Sequence, residues 1–260
     1  MNNRGTLRRE EQVRAHFETL YRAWGRQHWW PAQSPFEVIV GAYLTQNTSW
    51  TNVERALSAL RKARLLSVAA IRRAPLPALE RAIRSSGYFR QKARRLKTFV
   101  RFLDERYDGS LARLFAEPTA MLREELLGLD GVGPETADSI LLYAGNHPVF
   151  VVDAYTRRIL ERHELVPADA GYGEIRELFE RSLGTAAGRL LASSDGVVSV
   201  GGSAGSSHPP SPMSMASRGA AAQVFNEMHG LIVGVGKNFC KTSQPECEQC
   251  PLRKFLPAAK

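Results

Sequence analysis

The stretch Leu126-Leu127-Gly128-Leu129-Asp130-Gly131-Val132-Gly133-Pro134-Glu135-Thr136-Ala137 holds residue types whose spacing could do chemistry. A helix ending near Leu129 would be followed by a tight turn at Gly131 and Gly133. Pro134 is suited to the first position of the next helix, where its missing N–H is no loss. The N–H groups of Gly133 and the following turn would then lie at the positive end of a helix dipole, an arrangement that holds phosphate. The same glycine spacing also serves as plain punctuation between helices.

Twelve residues after Ala137, Val149-Phe150-Val151-Val152 runs into Asp153-Ala154-Tyr155-Thr156-Arg157-Arg158. The apolar run buries the chain, and Asp153 stands at the head of a helix spanning 154–163. As an N-cap it accepts hydrogen bonds from Tyr155 or Thr156. Those bonds and the helix dipole favour the ionised carboxylate, and a fixed anion can stabilise a developing cation. The segment Arg90, Lys92, Arg94, Arg95, Lys97, Arg101 adds a dense basic face.

The elements that must position these groups read as helices. Apolar residues recur at helical spacing in Val13–Phe17–Leu20–Tyr21–Trp24, in Phe36–Ile39–Val40–Tyr43–Leu44, and in Val53–Ala56–Leu57–Leu60. Breaks fall at Pro31–Pro35, Pro75–Pro77, Gly87, Asp108–Gly109 and Pro118. The best strand-like run, Val149–Val152, is four residues long, so the class is all-α. In 184–222, 27 of 39 residues are Gly, Ala, Ser or Pro, too few apolar groups to offset ordering entropy. It reads as a flexible insertion. Helical pattern resumes at Val224–Phe225 and Met228–Leu231–Ile232–Val235. The net charge of +9 points to a polyanion, most often nucleic acid. No run approaches a membrane span, the N-terminus lacks the apolar core of a secretory signal, and three cysteines are too few for a disulfide scaffold.

Together the hairpin stretch and VVDAYTRR resemble the helix-hairpin-helix DNA glycosylases of the endonuclease III superfamily, over most of 30–165 and again over 223–256. Gly41-Ala42-Tyr43-Leu44-Thr45-Gln46-Asn47-Thr48 looks like the segment whose glutamine enters the duplex near the flipped base. Ser86-Gly87-Tyr88-Phe89-Arg90-Gln91-Lys92-Ala93 resembles the GYxxxKA element. The resemblance implies two helical lobes with a central DNA-binding cleft. One lobe holds 36–145; the other holds 10–35, 146–183 and 221–260. It implies Gln46, Gly131, Gly133, Thr136 and Lys92 as DNA-binding residues and Asp153 as the carboxylate that drives base excision.

Three departures refine that expectation. Bifunctional members place a Schiff-base lysine where this chain has Glu135, and a carboxylate cannot form an imine. Glu135 either orients the attacking water or sits on the surface. His28-Trp29-Trp30-Pro31, with Thr48-Ser49-Trp50, is similar to the 3-methyladenine branch, which makes Trp29, Trp30, Pro31 and Trp50 base-pocket residues. Adjacent tryptophans cannot both face one core direction, so at least one should lie near a surface or cleft; Trp24 reads as core. Indole faces attract cationic alkylated purines. Cys240, Cys247 and Cys250 keep the C-x6-C-x2-C spacing of the family's [4Fe–4S] motif, but the fourth ligand falls on Leu256. A labile three-cysteine cluster and a cluster-free loop both stay open; zinc is less well served because no histidine lies in the local run. The chemistry needs no cofactor.

The resulting expectation is a monomeric, cytoplasmic, nucleoid-associated enzyme acting on double-stranded DNA with a damaged base, and no membrane partner. It would hydrolyse the N-glycosidic bond of an alkylated purine such as 3-methyladenine without lyase activity. The alternatives are an endonuclease III-like glycosylase/lyase for oxidised pyrimidines, recruiting a lysine such as Lys237, and a DNA-binding module without catalysis. Glu135 argues against the first alternative, Asp153 against the second.

Overall fold

The computed structural model describes residues 3–192 and 209–257. Among them there are helices and turns but no strand. The chain divides into two compact units, Met1–Pro31 with Pro148–Lys260 (unit 1), and Ala32–His147 (unit 2).

Unit 1 opens with α1 (Asn3–Trp24), which buries Val13, Phe17 and Leu20 at four- and three-residue spacing. Unit 2 follows. Ser34 caps α2 (Pro35–Leu44) by accepting from the Glu37 N–H at 3.2 Å, and Pro35 fills the first turn. Every residue of α2 from Phe36 to Leu44 is buried, as expected of a helix apolar on all sides. Around it lie α3 (Trp50–Lys62), the short α4 (Val68–Arg73) and α5 (Leu76–Ala82), and then α6 (Phe89–Tyr107). α6 is amphipathic: Ala93, Leu96, Phe99, Val100, Leu103 and Tyr107 face the core. Short α7 (Leu111–Leu114) precedes the hairpin formed by α8 (Thr119–Leu127) and α9 (Pro134–Ser139). α9 widens into a π-type turn at Ile140–Ala144, and the His147 N–H closes on the Leu141 carbonyl at 3.0 Å.

The chain then returns to unit 1 with α10 (Ala154–Arg162), α11 (Tyr172–Gly184), α12 (Ala187–Ala192) and α13 (Ala220–Asn238). α13 is buried almost throughout from Val224 to Gly236 and forms the unit's central rod. The strand-like run Val149–Val152 forms no ladder. Its backbone is satisfied by side chains instead: Phe150 N–H donates to Glu180 at 3.0 Å and Val152 N–H to the Tyr172 hydroxyl at 3.3 Å. Phe150 stacks on Phe179 at 4.0 Å and meets Phe225 edge-on at 5.9 Å, so burial fixes the chain just before Asp153.

Parts of 184–222, expected as a flexible insertion, are built into helices and turns. Gly184 closes α11, α12 buries Ala187 and Leu190, and α13 already starts at Ala220. Ser211, Met213 and Ser214 are buried, and the Ser211 hydroxyl donates to the Trp30 carbonyl at 3.3 Å. Small residues order there because they pack closely and bond one another, as in the Ser211 N–H to Ser214 Oγ contact at 2.8 Å. The rest of the segment, 193–208, lies outside the described residues.

Candidate functional site

In unit 2 the hairpin turn is built as its glycines require. Gly131 has φ +75, and a Cβ there would sit 1.9 Å from Arg95 Nε, so side chains are excluded on both counts. Gly133 caps α9 with Pro134 at its start, is exposed, and has open space around its Cα. A bidentate pair joins the two hairpin helices: Arg123 donates to fully buried Asp138 at 2.6 and 3.2 Å. Breaking a buried pair of this kind costs about 3–5 kcal/mol, so the turn is held rigidly.

Gln46 is tied to this turn. Its Nε2 donates to the Gly131 carbonyl at 2.9 Å and to Thr136 Oγ1 at 3.0 Å, while its Oε1 accepts from Arg95 at 3.1 Å. Gln46 thus links Gly131 and Thr136, and Arg95 holds Gln46 from the other end of its amide. Thr136 is buried at its side chain; Glu135 is exposed in the first turn of α9.

Lys92 does not belong with the DNA-facing residues. It is 1 % exposed, and its Nζ donates to the carbonyls of Leu44 at 2.8 Å, Gln46 at 2.9 Å and Ser86 at 2.7 Å. Burial, reinforced by nearby Arg95, lowers its pKa to about 8. The reason is positional. Lys92 lies four residues before Leu96 on the core face of α6, where its ammonium closes the carbonyl end of α2. Of the other basic residues on α6, Arg95 is engaged as above, Lys97 donates to the Arg72 carbonyl at 2.9 Å, and Arg101 lies 3.9 Å from Glu105. Arg90 and Arg94 are exposed. Tyr88, at the head of α6, is 68 % exposed, and Arg84 and Arg90 flank the neighbouring Phe89 ring at 6.0 and 5.7 Å. This exposed aromatic beside exposed arginines is a feature the motif reading passed over.

In unit 1 Asp153 caps α10 as expected. Its Oδ1 accepts from the Thr156 N–H at 2.7 Å and the Thr156 hydroxyl at 2.8 Å. Its Oδ2 faces His229 Nε2 at 3.5 Å. Burial works to raise the carboxyl pKa, but His229 and the Thr156 bonds outweigh it and hold it below the usual value. An ionised carboxylate in a mostly buried setting is suited to stabilising a cation.

Trp29 and Trp30 are both buried, at 6 % and 5 % exposure. Neither indole is left on an open surface; the two pack edge-to-face on each other with centroids 5.6 Å apart. Trp29 lies 6.2 Å from the His229 ring, on the Asp153 side of unit 1. Pro31 is half-buried at the end of that segment. Trp50 belongs to unit 2, half-buried, its Nε1 donating to Glu54 at 3.0 Å. Trp24 stacks on Phe239 at 6.1 Å. Sequence reading missed His229 and also Glu227, a buried carboxylate that accepts from the Gln27 N–H at 2.6 Å and from Gln223 at 2.7 Å. Burial pushes the Glu227 pKa up.

Cys240, Cys247 and Cys250 line a common small cavity of about 20 Å³ with Arg162, His163 and Leu256. Arg162 donates to Cys240 Sγ at 3.1 Å. Burial, opposed by a bond from the Leu252 N–H and reinforced by the other two sulfurs, pushes the Cys250 thiol up. Leu256 faces the cavity with hydrocarbon where a fourth donor would be needed, so these residues do not fit a four-thiolate cluster. Among the described residues no group of three histidine, cysteine or carboxylate side chains is placed to hold a single metal ion.

Residues 40–184 match the HhH-GPD superfamily of base excision DNA repair proteins. The chain belongs to that superfamily. Across 94 % of its length it is 37 % identical to a candidate DNA repair glycosylase of Methanocaldococcus jannaschii, covering 96 % of that protein. It is 26 % identical to endonuclease III of Thermotoga maritima over 84 % of this chain and 81 % of the relative. Its fold is similar to that of the H. pylori 3-methyladenine DNA glycosylase bound to 1,N6-ethenoadenine, with TM-score 0.68, 28 % identity, and coverage of 88 % of this chain and 97 % of that one. An endonuclease III–DNA covalent intermediate shares the fold at TM-score 0.66 and 20 % identity, over 95 % of each chain. This HhH-GPD protein is therefore a DNA-binding base excision glycosylase, and among its described residues no helix is long and apolar enough to cross a membrane.

Proposed function

We propose that the chain is a monofunctional glycosylase, hydrolysing the N-glycosidic bond of a flipped alkylated purine such as 3-methyladenine. The observation that carries the reading is the Asp153 site. A low-pKa carboxylate is fixed by Thr156 and lies, by way of His229, beside a buried tryptophan pair. Asp153 offsets the positive charge that develops on the sugar as the bond to the base breaks. Water then attacks the anomeric carbon. An alkylated purine carries its own positive charge, so it leaves with little proton help, and the Trp29–Trp30 pair offers electron-rich faces to it. The position where lysine would form an imine holds Glu135, which supports hydrolysis without strand cleavage. The likeness to the H. pylori enzyme supports the substrate class.

Unit 2 supplies the grip on the backbone through the Gly131–Gly133 turn, with Tyr88, Arg90 and Arg94 as further contacts. The test is a set of duplexes carrying 3-methyladenine, 7-methylguanine, thymine glycol or a G·T mismatch, assayed with and without alkali. Release of methylated purine, with strand breaks only after alkali, is the expected result. Release of thymine glycol with breaks in the absence of alkali would replace this reading by the lyase alternative.

A further inference from the structure

The two oxygens of Asp153 have unlike surroundings. Oδ1 is taken up by the first turn of α10, through the Thr156 N–H and hydroxyl. Oδ2 faces the His229 Nε2, 3.5 Å away on α13. His229 is 4 % exposed and sits 6.2 Å from the Trp29 ring and 6.4 Å from the Phe150 ring. The register of α13 is fixed at the next residue. A Cβ on Gly230 would lie 2.9 Å from Gln27 Cβ and 3.2 Å from Trp29 Cβ, so the helix approaches the tryptophan segment closely only through glycine. That approach sets where the imidazole points.

We infer that His229 is a positioning residue for Asp153, holding Oδ2 and so fixing the plane of the carboxylate that faces the reacting sugar. The inference rests on the reading of Asp153 as the excision carboxylate. With only Oδ1 bonded, the carboxylate could swing about its Cβ–Cγ bond; a second contact on Oδ2 removes that freedom. The other titratable groups around the pair are engaged elsewhere. Glu227, on the same helix, pairs with Arg26 at 3.5 Å and accepts from Gln27. On α11, Glu180 and the Tyr172 hydroxyl accept from the Phe150 and Val152 N–H groups.

The experiment compares His229→Gln and His229→Phe with the intact protein on a 7-methylguanine duplex. It measures single-turnover excision and DNA affinity separately. Misplacing a reacting group by about 1 Å can cost on the order of a hundredfold in rate, so a loss of that order is expected for His229→Phe, with unchanged DNA affinity. The Gln amide can still donate to Oδ2, so His229→Gln should recover at least tenfold of that loss. Equal rates for the two variants, or full excision by His229→Phe, would overturn the proposal. Asp153→Asn, measured alongside, separates the two readings: full excision by that variant would remove the catalytic reading of Asp153, whereas its inactivity beside a fully active His229→Phe would overturn only the positioning role.

Discussion

Gln46 Nε2 donates to the carbonyl oxygen of Gly131 at 2.9 Å, joining the segment after α2 to the hairpin turn 85 residues later. Gly131 adopts φ +75, and its lack of a side chain leaves room for the Arg95 guanidinium, which in turn donates to Gln46. One glycine thereby sets the shape of the turn and the position of the loop that leads into α3.

Gly131→Ala and Gly133→Ala should therefore behave differently. At Gly131 the new methyl meets Arg95 and a positive φ, so the Gln46–Arg95 arrangement must shift; stability should fall by about 1–3 kcal/mol and DNA affinity with it. At Gly133 φ is −89 and nothing lies within 4 Å, so stability should move by a few tenths of a kcal/mol or less, about the size of a cap exchange. A bulkier side chain there should weaken DNA binding without changing lesion preference. Thermal melts and binding isotherms across a salt series check both; each lost phosphate contact lowers the salt slope by about one. A change of lesion choice alone at Gly133 would remove the hairpin from the role of backbone grip.

Lys92→Met should destabilise the protein by about 3 kcal/mol, because three carbonyls lose a shared donor in a buried place. The pH dependence has a definite sign. With the folded pKa lowered to about 8 from the ordinary 10.5, the unfolded chain binds more protons between those values. Stability of the intact protein relative to Lys92→Met should then rise as pH goes from about 8 to 10.5. Denaturant melts at pH 7, 9 and 10.5 test this, and a difference that falls with pH would contradict it.

Much of this was readable in advance where local chemistry dictates structure. The hairpin turn follows from Gly131, Gly133 and Pro134, and the cap at Asp153 from a carboxylate placed between an apolar run and a helical one. Lys92 was legible in principle, since it lies at core spacing before Leu96 and Phe99, but a run of basic residues hid it. His229 was not legible. A lone histidine in the apolar run of α13 reads as core, and its meeting with Asp153 depends on tertiary packing 76 residues away. The buried tryptophan pair likewise depended on how Trp29 and Trp30 pack on each other, which spacing does not specify.

Tyr88→Ala should leave the melting temperature unchanged, since the ring is mostly in solvent and already 68 % exposed. If the ring stacks on a base, duplex affinity should fall by about 1–3 kcal/mol. Unchanged affinity for a lesion-bearing duplex would take Tyr88 out of the interface.

Asp153→Asn keeps an N-cap, because the amide oxygen can still accept from Thr156, so stability should change little. It loses the charge that offsets the sugar cation, worth roughly 3–4 kcal/mol or more, and excision should drop by at least two orders of magnitude with DNA affinity retained. Single-turnover base release measures it, and near-normal turnover would remove Asp153 from the reaction.

The product tests the role of position 135. Excision by the intact protein should leave an unbroken abasic strand, and borohydride should trap no protein–DNA adduct, because a carboxylate at Glu135 has no nitrogen to form an iminium. Glu135→Lys restores an amine there. The site is exposed, in the first turn of α9, so the fold should persist. The variant should then yield trapped adduct and strand breaks without alkali. Trapped adduct from the intact protein would mean that another amine reaches the sugar. Lys237, exposed in the last turn of α13, is the first to examine, and loss of that adduct in Lys237→Ala would identify it.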